Sequence, residues 1–292
     1  MERTPTHSDD TPSSAEPSTS GPRLRRFRFP VLFVALFVVM IAFAGINQLV
    51  APIPLLALPI GIGLAVAGVF VYRKLAQVVE GRVDVPELAR ADMWSGLRKG
   101  ALLGAGLFLA VMALILVFGG FDQVSWNSFF GALGVAGMMT GVAVVEEALF
   151  RGVLFRILEE RAGTVITLVV SSLVFGGVHL VNGNATLWGT LAIALTGGTM
   201  LAAAYTVTRS LWLPIGLHFA WNFVQGGLFG TTVSGSPEAP NGLLRTTLSG
   251  PSVLTGGEFG PEASLMALLV CLVATVLLLR RAVRTGQIRP RP

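Results

Sequence analysis

Apolar runs of about 20 residues recur along this chain, and that recurrence limits what it can fold into. A helix needs ~20 apolar residues to cross the hydrocarbon core of a bilayer. In that solvent every backbone polar group must find its partner inside the protein, so repeated runs of this kind lead to a bundle of helices. The runs are Phe29–Val50, Pro54–Tyr72, Gly100–Phe118, Phe129–Leu158, Thr164–Val181, Thr186–Val207, Leu211–Phe229 and Ala263–Leu279. The expected fold is therefore all-α, a polytopic membrane bundle of about eight transmembrane helices. Composition agrees: 13% of residues are charged and 53% hydrophobic, against roughly 25% charged in a soluble domain.

Three regions follow. Residues 1–28 form a polar tail ending in a basic cluster at Arg23, Arg25, Arg26 and Arg28. Its Ser, Thr, Pro and acidic residues offer too little apolar surface to order it. Residues 29–283 form the bundle, and residues 284–292 a basic C-terminal tail. A signal-peptide reading of the first run rests on Arg25-Arg26 and Ala42-Phe43-Ala44. The run continues past Ala44 to Val50 behind a long polar lead, which favours an uncleaved anchor.

Charge orients the map. With the N-terminus in the cytoplasm, every Lys and Arg except Arg245 falls on the cytoplasmic side. That segregation is the signature of inside loops, so both termini are expected to be cytoplasmic. The stretch 73–99 then reads as a solvated or lipid-headgroup helix and not a binding site, and 230–262 as a flexible outer connection rich in Gly, Ser, Pro and Thr. Gly100-x-x-x-Gly104 and Gly137-x-x-x-Gly141 offer small-residue faces for helix contact. No phosphate loop or nucleic-acid motif occurs. Cys271, the single cysteine, reads as an apolar helix residue.

Ionisable side chains inside a bilayer cost at least ~2.5 kcal/mol on insertion scales, so they are rare and tend to be functional. Here they are Glu146 and Glu147, adjacent in the fourth run, with His179 in the fifth and His218 in the seventh. Every other acid is expected in tails, loops or helix ends. Arg151 lies one turn after Glu147, and Asn222 one turn after His218, each on the same helix face. The fourth and fifth runs meet at Ala162-Gly163. Glu146 and His179 sit at nearly equal distances from that turn, ~25 Å along each helix, and so are level. His218 and Asn222 would lie ~6–12 Å nearer the cytoplasm on straight helices.

Together these residues suit hydrolysis. A buried carboxylate can act as a general base, and His and Asn can donate to a developing oxyanion. No serine stands in a nucleophile-elbow pattern beside a histidine, which favours a water nucleophile. Interhelical hydrogen bonding and a structural Glu147–Arg151 pair are the plainer alternatives for single members of the set. Intramembrane Glu and His also mark proton relays, so a proton-coupled transporter and a non-enzymatic scaffold or immunity protein remain as other classes. No internal repeat pairs the two halves as transporters require. Two His with Glu could bind a divalent ion such as zinc through Glu146, His179 and His218, although the His-Glu-x-x-His spacing is absent.

The motifs also resemble a known family. Glu146-Glu147-Ala-Leu-Phe-Arg151, Phe175-Gly-Gly-Val-His179 and His218-Phe-Ala-Trp-Asn222 are similar, in order, to the three signatures of the CPBP family. These are the CAAX proteases and the bacteriocin-processing, Abi-type or immunity enzymes. The likeness covers roughly residues 125–230. It implies an intramembrane endopeptidase acting on a membrane-associated peptide or protein tail. It also implies roles: Glu146 activates water, His179 holds that water, His218 and Asn222 bind the oxyanion, and Glu147 and Arg151 orient the site. The family has been named as metalloproteases, and its likeness also supports a metal-free glutamate mechanism, so the cofactor stays open between none and a divalent metal.

Overall fold

The computed structural model describes residues 26–237 and 240–292. The tail expected at the N-terminus lies, through residue 25, outside the described residues. The helices are α1 (Arg28–Val50), α2 (Pro54–Glu80), α3 (Arg90–Val117), α4 (Phe129–Glu147), α5 (Arg156–Val178), α6 (Leu187–Ile193), α7 (Thr199–Thr208), α8 (Trp212–Asn222) and α9 (Leu265–Arg284). Wider π-helical turns join α4 to α5 at Ala148–Phe155 and α6 to α7 at Ala194–Gly198, and extend α8 through Phe223–Leu228.

Among the described residues, six helices are long and apolar enough to cross a membrane. The protein is an all-α, integral, multi-pass membrane bundle. The figure of eight spans is not what length and composition return, for two physical reasons. The fourth and fifth runs fall within one helical stretch of 53 residues, Phe129–Val181. At ~1.5 Å per residue that stretch would be ~80 Å long, and the chain turns inside it at Gly163, with φ 72° and ψ 170°. The seventh run begins as an α-helix of only 11 residues before its π-helical continuation.

Local chemistry sets the ends. Ser128, Thr186 and Ser264 cap α4, α6 and α9 by accepting from the backbone N–H of Gly131, Gly189 and Ala267. Gly81, at φ 67°, ends α2 in the left-handed conformation that glycine tolerates best.

Two expectations are refined. Residues 73–99 are helical over most of their length, but Glu80 and Glu87 in them are buried and not solvated. α2 runs on to Glu80 and α3 starts at Arg90, because the acids between them are neutralised internally. Glu87 accepts a fork from Arg82 at 2.7 and 2.6 Å, and the Tyr72 hydroxyl donates to it at 2.5 Å. Glu80 accepts from Arg156 at 2.6 Å. Glu159 pairs with Arg209 and, at 3.6 Å, with Arg289 of the C-terminal tail. Buried acids are thus not confined to Glu146 and Glu147. The outer stretch 230–262 is not a plain flexible connection either. Its strand β2 (Leu244–Leu248) pairs antiparallel with β1 (Phe121–Trp126), from Phe121↔Leu248 to Trp126↔Leu244, with an irregularity between Phe121 and Gln123. Short 3₁₀ turns at Gly257–Phe259 and Pro261–Ala263 then lead into α9.

The small-residue faces bring helices into backbone contact. α3 lies along α8, and a Cβ at Gly104 would meet the Leu217 carbonyl oxygen at 2.2 Å. α2 lies along α4, where a Cβ on Gly137 would meet the Ala57 oxygen at 2.4 Å. Both pairs hold helices that carry site residues.

Two outcomes are expected in thermal unfolding in detergent. Gly104→Leu must push α3 off α8, costing about 1–3 kcal/mol; an unchanged midpoint would show that the contact is dispensable. At Glu87, burial pushes the carboxyl up, but hydrogen bonds from Arg82 and Tyr72 outweigh it and hold the carboxyl below its ordinary value of 4.5. A lowered carboxylate stabilises the fold above its unfolded value, and that stability is lost as pH falls through the folded value. Glu87→Gln should therefore lower stability near neutral pH and flatten the acid-side fall below about pH 4.5; an acid limb as steep as the wild type's counts against this account.

Candidate active site

The five residues singled out in the sequence come from α4, the end of α5 and α8, and the bundle brings all of them to one cavity or its wall. Glu147 is 0% exposed at the end of α4. Its Oε1 accepts from Arg151 at 2.8 Å and faces His218 Nδ1 at 2.9 Å. Glu146, one residue earlier, projects instead into a cavity of about 910 Å³ that His179, His218 and Asn222 also line. Adjacent helix positions point about 100° apart, so one carboxylate is held in the wall and the other is presented to the cavity.

His218 bridges the two. Its Nδ1 faces Glu147 at 2.9 Å, and its Nε2 lies 3.8 Å from Glu146 Oε2. A carboxylate behind a histidine fixes ring orientation and tautomer. His179 is held differently: its Nδ1 lies 2.7 Å from the Phe175 carbonyl oxygen. That bond directs Nε2 away from its own helix. Asn222 is buried, and its side chain has no hydrogen bond among the described residues.

Arg151 is 1% exposed. Beyond Glu147 it donates to the Gly198 carbonyl at 3.1 Å, and its guanidinium lies 4.6 Å from the centre of the Phe175 ring. Stacking and directed hydrogen bonds of this kind suit guanidinium and not ammonium. Phe175 also packs against His179 and His218, with ring centres 5.0 and 6.1 Å away. The phenylalanine of the second motif is thus the partition between the buried arginine and the two histidines.

The offset that straight-helix arithmetic gives between His218 and the glutamates is closed, since His218 Nδ1 lies 2.9 Å from Glu147. The turn before α8 is itself sunk into the bundle, where Arg209 pairs with Glu159 and donates to the Gln287 carbonyl of the C-terminal tail. From this start α8 carries His218 to Glu147. The π-helical turns after Glu147 and Asn222 flank the site. Such turns occur often at functional sites.

Glu262 was missed. It precedes α9, is 3% exposed, and lines the same cavity. Burial pushes its carboxyl above the ordinary carboxylate range, with His179 opposing the push. No periodicity or spacing signal marks it, because a folded loop carries it there.

Among the described residues no group of three or more His, Cys, Asp or Glu side chains is placed to hold a metal ion. Both histidines hold Nδ1 against the protein, which leaves Nε2 of each for water, substrate or an ion. The metalloprotease reading gains no support from the donors.

Residues 107–224 match the family model described as type II CAAX prenyl endopeptidase Rce1-like. That stretch is therefore similar to the CAAX-type intramembrane proteases, consistent with the CPBP likeness of its motifs. No curated protein and no solved structure matches the chain. The matched stretch contains all three motifs and every site residue named from the sequence, whereas Glu262 lies beyond it. The CPBP likeness supports an intramembrane endopeptidase acting on a peptide or protein at the membrane.

The Glu147–Arg151 pair should behave as a buried pair. Arg151→Met leaves a carboxylate without its guanidinium and should destabilise the protein by about 3–5 kcal/mol. Adding Glu147→Gln should recover part of that loss. A double-variant cycle on unfolding midpoints reads the coupling, and strictly additive losses would show that the two side chains act independently.

Proposed function

We propose that the chain hydrolyses a peptide bond in a membrane-associated peptide or protein tail, with Glu146 as the base that activates water. One observation carries this reading: two adjacent carboxylates have opposite surroundings at the wall of one cavity. Glu147 Oε1 is engaged by Arg151 and His218, whereas Glu146 makes no hydrogen bond to the protein among the described residues and lines the cavity, 3.8 Å from His218 Nε2. The first suits a positioning group and the second a proton acceptor.

In this mechanism water loses a proton to Glu146 while His179 holds the water oxygen. The resulting hydroxide adds to the scissile carbonyl carbon, and the carbonyl oxygen becomes an oxyanion. His218 and Asn222 face that oxyanion. With Nδ1 given to Glu147, Nε2 is the His218 nitrogen left for it, and Nε2 donates when the ring carries both protons. Collapse of the tetrahedral intermediate breaks the C–N bond, and the departing amine takes the proton held by Glu146. Donors preset at the oxyanion are worth about 10²–10³ in rate apiece. Glu147 and Arg151 hold His218 in place.

Both termini are assigned to the cytoplasm, with the chain in the cell membrane if its source is bacterial. The one-sided placement of Lys and Arg supports this orientation.

Wild type and Glu146→Ala, purified in mild detergent, are exposed to a mixed peptide library and cleavage is read by mass spectrometry. The wild type should cleave, and the variant should lose at least about 100-fold in rate. A strong chelator should leave the wild-type rate unchanged. Equal cleavage by both proteins discards Glu146 as the base.

A further inference from the structure

We propose that Glu262 is the anchor of a cation subsite in this cavity, selecting peptides that carry a lysine or arginine side chain near the scissile bond. This rests on the protease reading only for the word scissile; the subsite itself stands on geometry.

The buried acids of this protein divide cleanly. Glu80, Glu87, Glu147 and Glu159 each have an arginine partner within 4.0 Å. Glu262 has no ion pair within 4.0 Å among the described residues, and the one titratable side chain whose charge acts on it is that of His179. A buried carboxylate without a cation is costly, and this one is also built in. Its Oε1 accepts from the Ser234 backbone N–H and from Gln225 Nε2, the latter at 3.4 Å. Gln225 lies in the π-helical turn that follows Asn222, so the loop acid is tied to the helix bearing the candidate oxyanion donors. Oε2 has no hydrogen bond among the described residues, and it is not among the atoms sealed from contact.

The loop that presents Glu262 is shaped to do so. Gly260 has φ 112°, and a Cβ there would meet the Thr232 carbonyl oxygen at 2.3 Å. The next residues form a single 3₁₀ turn that turns Glu262 inward and ends at the Ser264 cap of α9. The charge of the cavity matches a cationic guest. Its described lining includes the acids Glu146 and Glu262 with the histidines His179 and His218, and no lysine or arginine. The walls around the carboxylates are apolar, from Met138 and Val142 to Val233, so a cation entering them meets weak screening and strong attraction. A guest ammonium or guanidinium would supply Glu262 with the partner that each of the four arginine-paired acids already has.

The test separates the subsite from the protease reading. The full chain carrying Glu146→Ala needs no catalysis, and its binding to two fluorescent apolar heptapeptides is measured by anisotropy. One peptide has a single central lysine, and its twin has norleucine there. The lysine peptide should bind about tenfold tighter. Adding Glu262→Gln, which keeps an acceptor for Ser234, should bring the ratio to about one, Glu262→Asp should restore part of it, and Glu262→Lys should favour a glutamate peptide instead. Gel filtration checks that each variant remains folded. Equal binding of the two peptides, no binding of either, or a ratio that survives Glu262→Gln overturns the subsite. Library cleavage by the wild type without basic preference overturns it and keeps the protease. Lysine-selective binding with no cleavage by the wild type keeps the subsite and removes the protease.

Discussion

Glu147 cannot sit where it does unless Arg151 and His218 sit beside it. Its carboxylate is wholly removed from solvent and accepts from both. The arginine comes from one turn along the same helical rod, and the histidine from a helix distant in sequence. That bond across the bundle ties α4 to α8 and sets the distance between the cavity wall and the groups that line it. A buried ion pair adds little net stability over apolar packing, but losing one partner is costly. The triad is therefore better understood as a device for geometry than for stability.

The rest of the bundle serves this tie. α8 must approach α3 closely for His218 to face Glu147, and Gly100 and Gly104 leave room for the Leu213 and Leu217 backbone. α4 is seated on α2 through Gly61 and Gly137 in the same manner. Without a hydrophobic drive between helices in lipid, such close backbone approach is what holds them together. At the other end, paired acids and arginines from α2, α5, the α7–α8 turn and the C-terminal tail neutralise one another. That network holds the turn before α8 to α5 and to the C-terminal tail.

The cavity gains its character from what is left unpaired. Carboxylates in the walls are matched to arginines, while the two that line the cavity are not. An apolar chamber holding two unmatched acids and two histidines presents directed charge where screening is weak, which favours both proton transfer and recognition of charge.

By itself the sequence determined that this is a membrane bundle of helices, because runs of apolar residues have no other stable form in lipid. It marked the turns at Pro52 and Gly163. It also singled out Glu146, Glu147, Arg151, His179, His218 and Asn222, because ionisable and amide side chains stand out in apolar helices, and their spacing set which of them share a face. Helix arithmetic left the offset of α8 dependent on straightness, and only the contact of His218 with Glu147, made between residues far apart in sequence, closes it. The span count fell short for a similar reason: a helical stretch that turns at one glycine, and an α-helix that widens after Asn222, do not register as separate lengths. Glu262 was the clearest loss. Loop residues carry no periodic signal, and only the folding of residues 230–262 onto the bundle decides that one acid among them faces the cavity.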